Sequence, residues 1–326
     1  MTDGTVAIET VGLVKRFGRT LAVDGIDLHV RRGHVYSLLG PNGAGKTTTV
    51  RMLATLTRPD AGVARVMGHD VVHEADAVRR RVSLTGQNAS VDVDLSGVEN
   101  LSLLARLAGY GWRPARVRAD ALLEAFGLAS DGGRLVRGFS GGMRRRLDIA
   151  ASLVTTPDLL FLDEPTSGLD PHSRLQVWGL IRELTANGTT VLLTTQHLDE
   201  ADRLSDRVAV IDRGRLVAEG TPNQLKTTVG TGVLSVHLLD AGQAAEAEAT
   251  LARALEAPVR LDHRDLVLAV AVSDPWQATA ALEALGSRGI AVGEFALGTP
   301  SLDEVFMALT RRDGQTGDVA GQEKVA

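Results

Sequence analysis

The stretch GPNGAGKTTT, residues 40–49, decides the fold of this chain. It matches the pattern G-x-x-x-x-G-K-[S/T] through Gly40, Gly45, Lys46 and Thr47. The apolar, strand-like VYSLL precedes it, and the helix-like VRMLATL follows it. Glycines permit a tight loop whose N–H groups point inward, and the new helix adds the positive end of its dipole. The stretch therefore predicts a phosphate-binding loop between a strand and a helix.

The lysine in this loop is unusual for the chain. Of 35 basic residues only four are lysine, at positions 15, 46, 226 and 324. A lysine at the fixed place of the pattern is therefore hard to obtain by chance. In a nucleotide site Lys46 would hold the β- and γ-phosphates, and Thr47 would ligate Mg²⁺.

A second signal is the apolar run LLFLDEP, which ends in the acids Asp163 and Glu164. Beside a phosphate loop, Asp163 would bind Mg²⁺ through water and Glu164 would polarise the attacking water. Taken alone, DEP after a strand is only a turn signal. Together with the phosphate loop it predicts nucleotide hydrolysis.

Composition excludes several other functions. The chain has 326 residues, 44% hydrophobic and 23% charged, which is typical of a globular protein with about two domains. A net charge of -5 gives no general attraction to nucleic acid, so no nucleic-acid partner is expected. Without cysteine there are no disulfides and no cysteine-based zinc sites. We expect the arginine runs at 79–81 and 144–146 to be solvated helix faces.

The sequence offers no targeting or membrane segment. MTDGTVAIET, at the N-terminus, has neither a basic start nor a long apolar core, so we expect no signal peptide. No apolar run approaches the ~20 residues that span a bilayer. We therefore expect that this chain does not cross a membrane by itself.

Strand-like and helix-like stretches alternate up to about residue 230, which predicts an α/β domain with a largely parallel sheet. The strands are HVYSLLG, VSLTGQ, DLLFLDEP, TTVLLTTQ and RVAVI, and the helices are VENLSLLARLAGY, PARVRADALLEAFGL and HSRLQVWGLIRELTANG. After that point the pattern is strand, helix, strand, helix, strand, which indicates a small α+β domain; a ferredoxin-like arrangement is one candidate. We predict domains at 5–230 and 231–312, and a disordered tail at 313–326.

Further motifs, in the right order along the chain, resemble those of ABC transporter ATP-binding subunits. FSGGM (139–143) resembles the signature motif LSGGQ, although Met143 replaces the usual glutamine. SGLD (167–170) resembles the D-loop, TTQH ends at a switch histidine, and LTGQNAS resembles the Q-loop. The resemblance covers residues 5 to about 220.

The resemblance implies a P-loop NTPase fold of ABC type, with a parallel-sheet core, an antiparallel N-terminal subdomain and a helical signature subdomain. It also implies ATP and Mg²⁺ as ligands. The implied catalytic residues are Glu164, His197, Gln87 and Lys46. Mg²⁺ would be held by Thr47, Gln87 and, through water, Asp163. The implied ATP-binding residues are Phe17, Gly40, Pro41, Asn42, Gly43, Ala44, Gly45, Lys46, Thr47, Thr48, Ser140, Gly141, Gly142 and Asp170.

In this family the signature residues Ser140, Gly141 and Gly142 contact the ATP held by a second copy. The resemblance therefore implies a head-to-tail dimer of this chain with two ATP molecules between the copies, organised by Asp170. It also implies a separately encoded membrane permease as partner. The expected location is peripheral, on the cytoplasmic face of the cell membrane.

Two stretches narrow the subfamily: GTPSLDEVFMALT (298–310) and SGGMRRRLDIAASL (140–153) resemble the daunorubicin-resistance type of ATP-binding subunit. That type implies a transport-coupled ATPase that drives efflux of a hydrophobic drug or antibiotic. The first stretch also fits a purely structural amphipathic helix. An importer ATPase or a soluble, non-transport ABC ATPase remains an alternative at this stage.

Overall fold

The computed structural model describes residues 5–86, 91–227, 232–262, 265–298, 301–303 and 305–306. The chain divides after Glu219 into two units, which are described separately here. The domain limits predicted from the sequence stay predictions. The expected disordered tail at 313–326 lies outside the described residues.

The first unit begins with strands and ends with a hairpin. Its elements are β1 (Val6–Phe17), β2 (Thr20–Arg31), β3 (Val35–Leu39), α1 (Lys46–Leu53), β4 (Ala61–Val66), β5 (His69–Asp70), α2 (Ala75–Arg79), β6 (Val82–Thr85), α3 (Gly97–Leu107), α4 (Trp112–Ala125), α5 (Gly141–Ser152), β7 (Leu159–Asp163), α6 (Pro171–Ala186), β8 (Thr190–Thr195), α7 (Leu198–Leu204), β9 (Arg207–Asp212) and β10 (Arg215–Gly220). Short 3₁₀ turns at Ala129–Asp131 and Val136–Gly138 lead into α5.

The larger sheet forms the centre of this unit. Its strand order is β10-β9-β3-β8-β7-β6, and the pairs from β9 to β6 are all parallel. Every residue of β3, β7 and β8 is buried, as expected for parallel strands covered on both faces. Since parallel strands end at the same edge, the loops after β3, β7 and β8 lie side by side, where such sheets bind ligands.

Two further layers flank the central sheet. An antiparallel sheet of order β2-β1-β4-β5 packs its apolar face, including Ile8, Leu13 and Ile26, into the same core as the outer side of β3 and α1. On the other side, α3, α4 and α5 share a core with β7 and α6. The predicted parallel core, antiparallel N-terminal subdomain and helical subdomain are therefore confirmed.

The second unit has the order α8 (Pro222–Thr227), β11 (Gly232–Leu238), α9 (Ala244–Leu255), β12 (Val259–Asp262), β13 (Val267–Val272), α10 (Pro275–Ser287) and β14 (Val292–Gly298), with a 3₁₀ turn at Ala241–Gln243. Its strands form an antiparallel sheet in the order β12-β13-β11-β14. This is the split βαβ arrangement of a ferredoxin-like domain. The predicted α+β character is confirmed, whereas the helix α8 and the short strand β12 were not predicted from the sequence.

Candidate functional site

The predicted phosphate-binding loop, called the phosphate-type loop below, follows β3 and ends at Gly45, the N-cap of α1. Two of its glycines are required by their surroundings. A Cβ at Gly40 would lie 2.1 Å from the backbone oxygen of Ile211, and one at Gly45 would lie 2.3 Å from that of Ala22. Gly45 also has φ of 102°, in the region that favours glycine. The loop is therefore tight against its neighbours at both of these glycines.

Lys46 is the first residue of α1, and its side chain is only 4% exposed. The ammonium group folds back over the loop and donates to the carbonyl oxygens of Gly40 (2.7 Å) and Pro41 (3.0 Å). It also lies 4.0 Å from a carboxylate oxygen of Glu164. Burial lowers the pKa of Lys46, and the neighbouring carboxylates of Glu164 and Asp163 partly oppose this. The site therefore holds a poorly solvated cation, which an incoming phosphate would stabilise.

Asp163 ends β7 and is 4% exposed. One of its carboxylate oxygens, Oδ1, accepts hydrogen bonds from the hydroxyls of Thr47 (3.1 Å) and Thr194. A hydroxyl and a carboxylate at this separation are the hard oxygen donors that Mg²⁺ prefers. The residues present therefore fit the metal that the sequence implied. Thr194, from β8, was not predicted from the sequence.

Glu164 is the next residue, and its backbone lies in the left-handed region with φ of 48°. A non-glycine residue there costs about 1–3 kcal/mol, and six other described non-glycine residues also have a positive φ. Its N–H donates to both the backbone oxygen and the hydroxyl of Thr194, each at 3.1 Å. This conformation places the carboxylate beside the ammonium group of Lys46.

The signature stretch lies at the start of α5. Ser140 is the N-cap, and its hydroxyl accepts from the N–H of Met143 at 3.2 Å. Ser140 and Gly141 are exposed, whereas Gly142 is buried against Ser173 of α6. The first residues of this helix are therefore exposed within one copy of the chain, although the N–H of Met143 is already bonded to Ser140.

Asp170 is the N-cap of α6 and accepts from the N–H (3.0 Å) and hydroxyl (2.6 Å) of Ser173. These hydrogen bonds hold the pKa of Asp170 below its usual value. The predicted D-loop residue therefore also fixes the start of a helix that packs on α5.

Of the remaining predicted site residues, His197 and Phe17 are not among the residues that line the two cavities described below. His197 is the half-buried N-cap of α7, directly after β8. Phe17 ends β1 with 52% of its surface exposed and Lys15 over its ring. It does not line the cavities described below, so its role towards adenine stays a prediction. Gln87 lies outside the described residues.

The prediction of a solvated arginine run at 144–146 is wrong. All three guanidinium groups donate to backbone carbonyl oxygens, and the side chain of Arg145 is only 12% exposed. Arg145 also lies 3.4 Å from Asp148, which is 2% exposed. Burial lowers the pKa of Arg145, and Asp148 is the foremost group opposing that shift. An acid inside the apolar run LDIAASL was the available signal, because a buried carboxylate needs a nearby cation.

Two cavities lie among the candidate site residues and share part of their lining. One, of about 290 Å³, is lined by Ala22, Glu164 and the loop residues 42–48. The other, of about 630 Å³, is lined by Asn42, Gly141, Arg144, Arg145, Asp148, Glu164, Ser167, Gly168, Leu169 and Gln196. Asn42 and Glu164 line both cavities, and Gly141 at the start of the signature helix lines the larger one. Among the described residues no cluster of three or more His, Asp or Glu side chains could hold a metal ion.

Comparison with known proteins gives a consistent result. The ABC transporter family matches residues 23–167. The daunorubicin/doxorubicin resistance ATP-binding protein DrrA of Streptomyces peucetius is 57% identical over 100% of this chain and 99% of that protein. The Nod factor export ATP-binding protein I of Ralstonia nicotianae is 40% identical over 95% of both chains. The solved structure of cbiO1 from Clostridium perfringens, part of the ABC transporter complex cbiONQ, has a TM-score of 0.64 and 25% identity over 69% of this chain and 93% of that one.

Proposed function

This chain belongs to the ABC transporter family of ATP-binding proteins and is an ATPase, and we propose that it couples ATP hydrolysis to efflux of a hydrophobic drug through a separate membrane permease. The observation that carries the proposal is the full-length 57% identity to a daunorubicin/doxorubicin resistance protein. A relative named for export, the Nod factor export ATP-binding protein I, favours export over the importer alternative.

The convergence of Lys46, Asp163 and Glu164 at one sheet edge supports the hydrolytic step. Glu164 takes the proton of the attacking water, and Lys46 binds the β- and γ-phosphates of ATP. Thr47 and Asp163 would hold Mg²⁺, with Gln87 as a further ligand. When bound, the metal neutralises charge that develops on the phosphates. His197, which follows the neighbouring strand, contacts the γ-phosphate through the transition state.

The exposed start of α5 supports a shared site between two copies. Ser140 and Gly141 face solvent within one chain, and a helix N-terminus with free N–H groups is suited to a phosphate. In a head-to-tail dimer these groups meet the ATP held by the partner copy, and Asp170 stabilises the contact. ATP binding and dimer closure are then a single linked event.

The proposed transport requires a separate membrane permease as partner, as the family resemblance implies. Within the described residues, no helix has the length and apolar character needed to span a bilayer. The proposed assembly has two copies of this chain on the cytoplasmic face of the membrane and two permease subunits that form the pathway.

Co-expression with a neighbouring membrane protein in a drug-sensitive host tests this function. Drug accumulation should fall only when both chains are present, and the effect should vanish with Lys46→Ala. Arg51 lies on the exposed face of the same helix α1, so Arg51→Ala is the matched control and should retain efflux. Resistance that survives Lys46→Ala, or that needs no membrane partner, would show protection by another route, such as drug sequestration.

A further inference from the structure

Arg145 carries a buried guanidinium group to which the proposed function gives no role. It projects from α5, and each of its three nitrogens donates to a different backbone carbonyl oxygen. Nε bonds Pro165 at 2.8 Å, Nη1 bonds Gly86 at 2.9 Å, and Nη2 bonds Asp163 at 3.1 Å. The planar fork of arginine suits this three-way contact, whereas the ammonium group of a lysine is a compact point charge.

Two of these carbonyls flank Glu164. The carbonyl of Asp163 belongs to the peptide bond that leads into Glu164, and the carbonyl of Pro165 follows one residue later. On the opposite side, Thr194 accepts the N–H of Glu164. The strained backbone of Glu164, with φ of 48°, is therefore held from both sides. If the Arg145 bonds were lost, the peptide between Asp163 and Glu164 would be held by Thr194 alone, and its orientation would be less tightly fixed.

The third carbonyl belongs to Gly86, just after β6. The guanidinium therefore joins three elements that do not adjoin in sequence: the helix that begins at Gly141, the end of β6, and the turn around Glu164. Arg145 and Glu164 also line the same cavity of about 630 Å³. A shift of α5 relative to β7 would be transmitted to Glu164 through these bonds.

We propose that Arg145 is a positioning residue for hydrolysis, which fixes the peptide groups around Glu164 and couples the place of its carboxylate to the orientation of α5. This inference rests on the proposed role of Glu164 as the base. Arg145 acts through that carboxylate and does not itself contact the reacting phosphate.

The test compares two arginines of the same helix. Arg146 donates to the carbonyls of Phe126 and Gly127 at the end of α4, at 2.9 and 3.3 Å, so it anchors α5 elsewhere. Arg145→Lys keeps the charge but loses the planar fork, and kcat should fall about 10- to 100-fold with the ATP KM changed by less than about threefold. Arg146→Lys should lower the thermal stability of the chain about as much as Arg145→Lys does. It should nevertheless keep kcat within about twofold of the wild-type value.

Equal effects of the two substitutions on kcat, or a rise in the ATP KM without loss of kcat, would overturn the proposal. If Arg145→Lys does not fold, Arg145→Gln takes its place, because glutamine still offers two N–H donors. Single-turnover hydrolysis by the full chain is the measurement, so that product release does not mask the chemical step.

A double-mutant cycle separates this inference from the proposed function. In a Glu164→Gln background, Arg145→Lys should change the residual rate by less than about twofold, because no base is left to position. A full 10-fold loss in that background would contradict the inference. Unchanged turnover in Glu164→Gln alone would instead refute the base assignment. Unchanged turnover in Arg145→Lys, with Glu164→Gln impaired, would refute only the inference about Arg145.

Discussion

At the scale of single residues, the candidate site depends on Glu164 more than on any other side chain. Its carboxylate is 12% exposed and lies 4.0 Å from the ammonium group of Lys46. Its backbone is held in a conformation that a non-glycine residue seldom adopts. Such strain at a buried carboxylate beside a phosphate-type loop is the pattern expected of a preorganised base.

We therefore expect Glu164→Gln to lower ATP turnover by about 10²–10⁴-fold, the usual cost of losing a general base. ATP binding should persist, because glutamine preserves the shape of the side chain and Lys46 remains in place. The measurements are steady-state phosphate release and nucleotide binding by fluorescence. Glu183→Gln on the exposed face of α6 is the control and should leave both unchanged. Wild-type turnover in Glu164→Gln would remove this residue from the mechanism.

Much of the site could be predicted from sequence because its residues lie in short contiguous motifs. The loop at 40–47 carries its own pattern, and the pair Asp163–Glu164 gains its meaning from that loop. Thr194 and Arg145 could not be found in this way, because their roles come from contacts with residues 31 and 18 positions away along the chain. Threonine and arginine are also common at surfaces, so their types alone gave no signal.

At the scale of elements, the packing of α5 against α6 is unusually close at Gly142. A Cβ there would lie 2.2 Å from Oγ and 2.7 Å from Cβ of Ser173, whereas a Cβ at Gly141 would meet only Leu169 at 3.8 Å. Ser173 cannot easily turn away, since its hydroxyl bonds Asp170. Through this contact, the signature helix α5 packs directly against Ser173, which is hydrogen-bonded to Asp170 of the D-loop.

The two glycines give a matched pair of variants. Gly142→Ala should destabilise the chain by about 1–3 kcal/mol through overpacking. Gly141→Ala should change stability by less than about 1 kcal/mol, because the methyl group has room and alanine favours helix. Urea unfolding at one pH measures both. A smaller effect at Gly142 than at Gly141 would show that the helices separate readily at this point.

The strands of the parallel core could be read from hydrophobic periodicity, whereas the antiparallel sheet of β1, β2, β4 and β5 was expected only from the family resemblance. The buried strands β3, β7 and β8 are continuous apolar runs, and α6 ends near Asn187–Gly188 as the sequence indicated. The short strand β12 was missed because four residues that alternate in burial give too weak a signal. Its existence follows from pairing with β13, which is a long-range property of the sheet.

At the scale of the whole molecule, each copy of the chain contains both halves of the proposed shared site. Lys46 is buried in the phosphate-type loop, and Ser140 is exposed at the start of the signature helix. In a head-to-tail dimer, Lys46 of one copy and Ser140 of the other would contribute to the same ATP site. Lys46→Ala and Ser140→Arg should therefore each abolish turnover in a homodimer, since each damages both sites.

Mixing the two inactive variants should restore hydrolysis. In a mixed dimer, both lesions fall in one composite site, and the second site is intact on both sides. Turnover should recover to at most about half of the wild-type rate per dimer, if one intact site can fire alone and mixed dimers form. Pairs carrying distinct affinity tags allow mixed dimers to be isolated and assayed by phosphate release.

The control is a mixture of Lys46→Ala with Glu164→Gln. In that mixed dimer one site lacks the loop lysine and the other lacks the base, so both sites should stay inactive. Absence of recovery in isolated mixed dimers would mean that the sites are not shared, or that hydrolysis requires both sites intact at once.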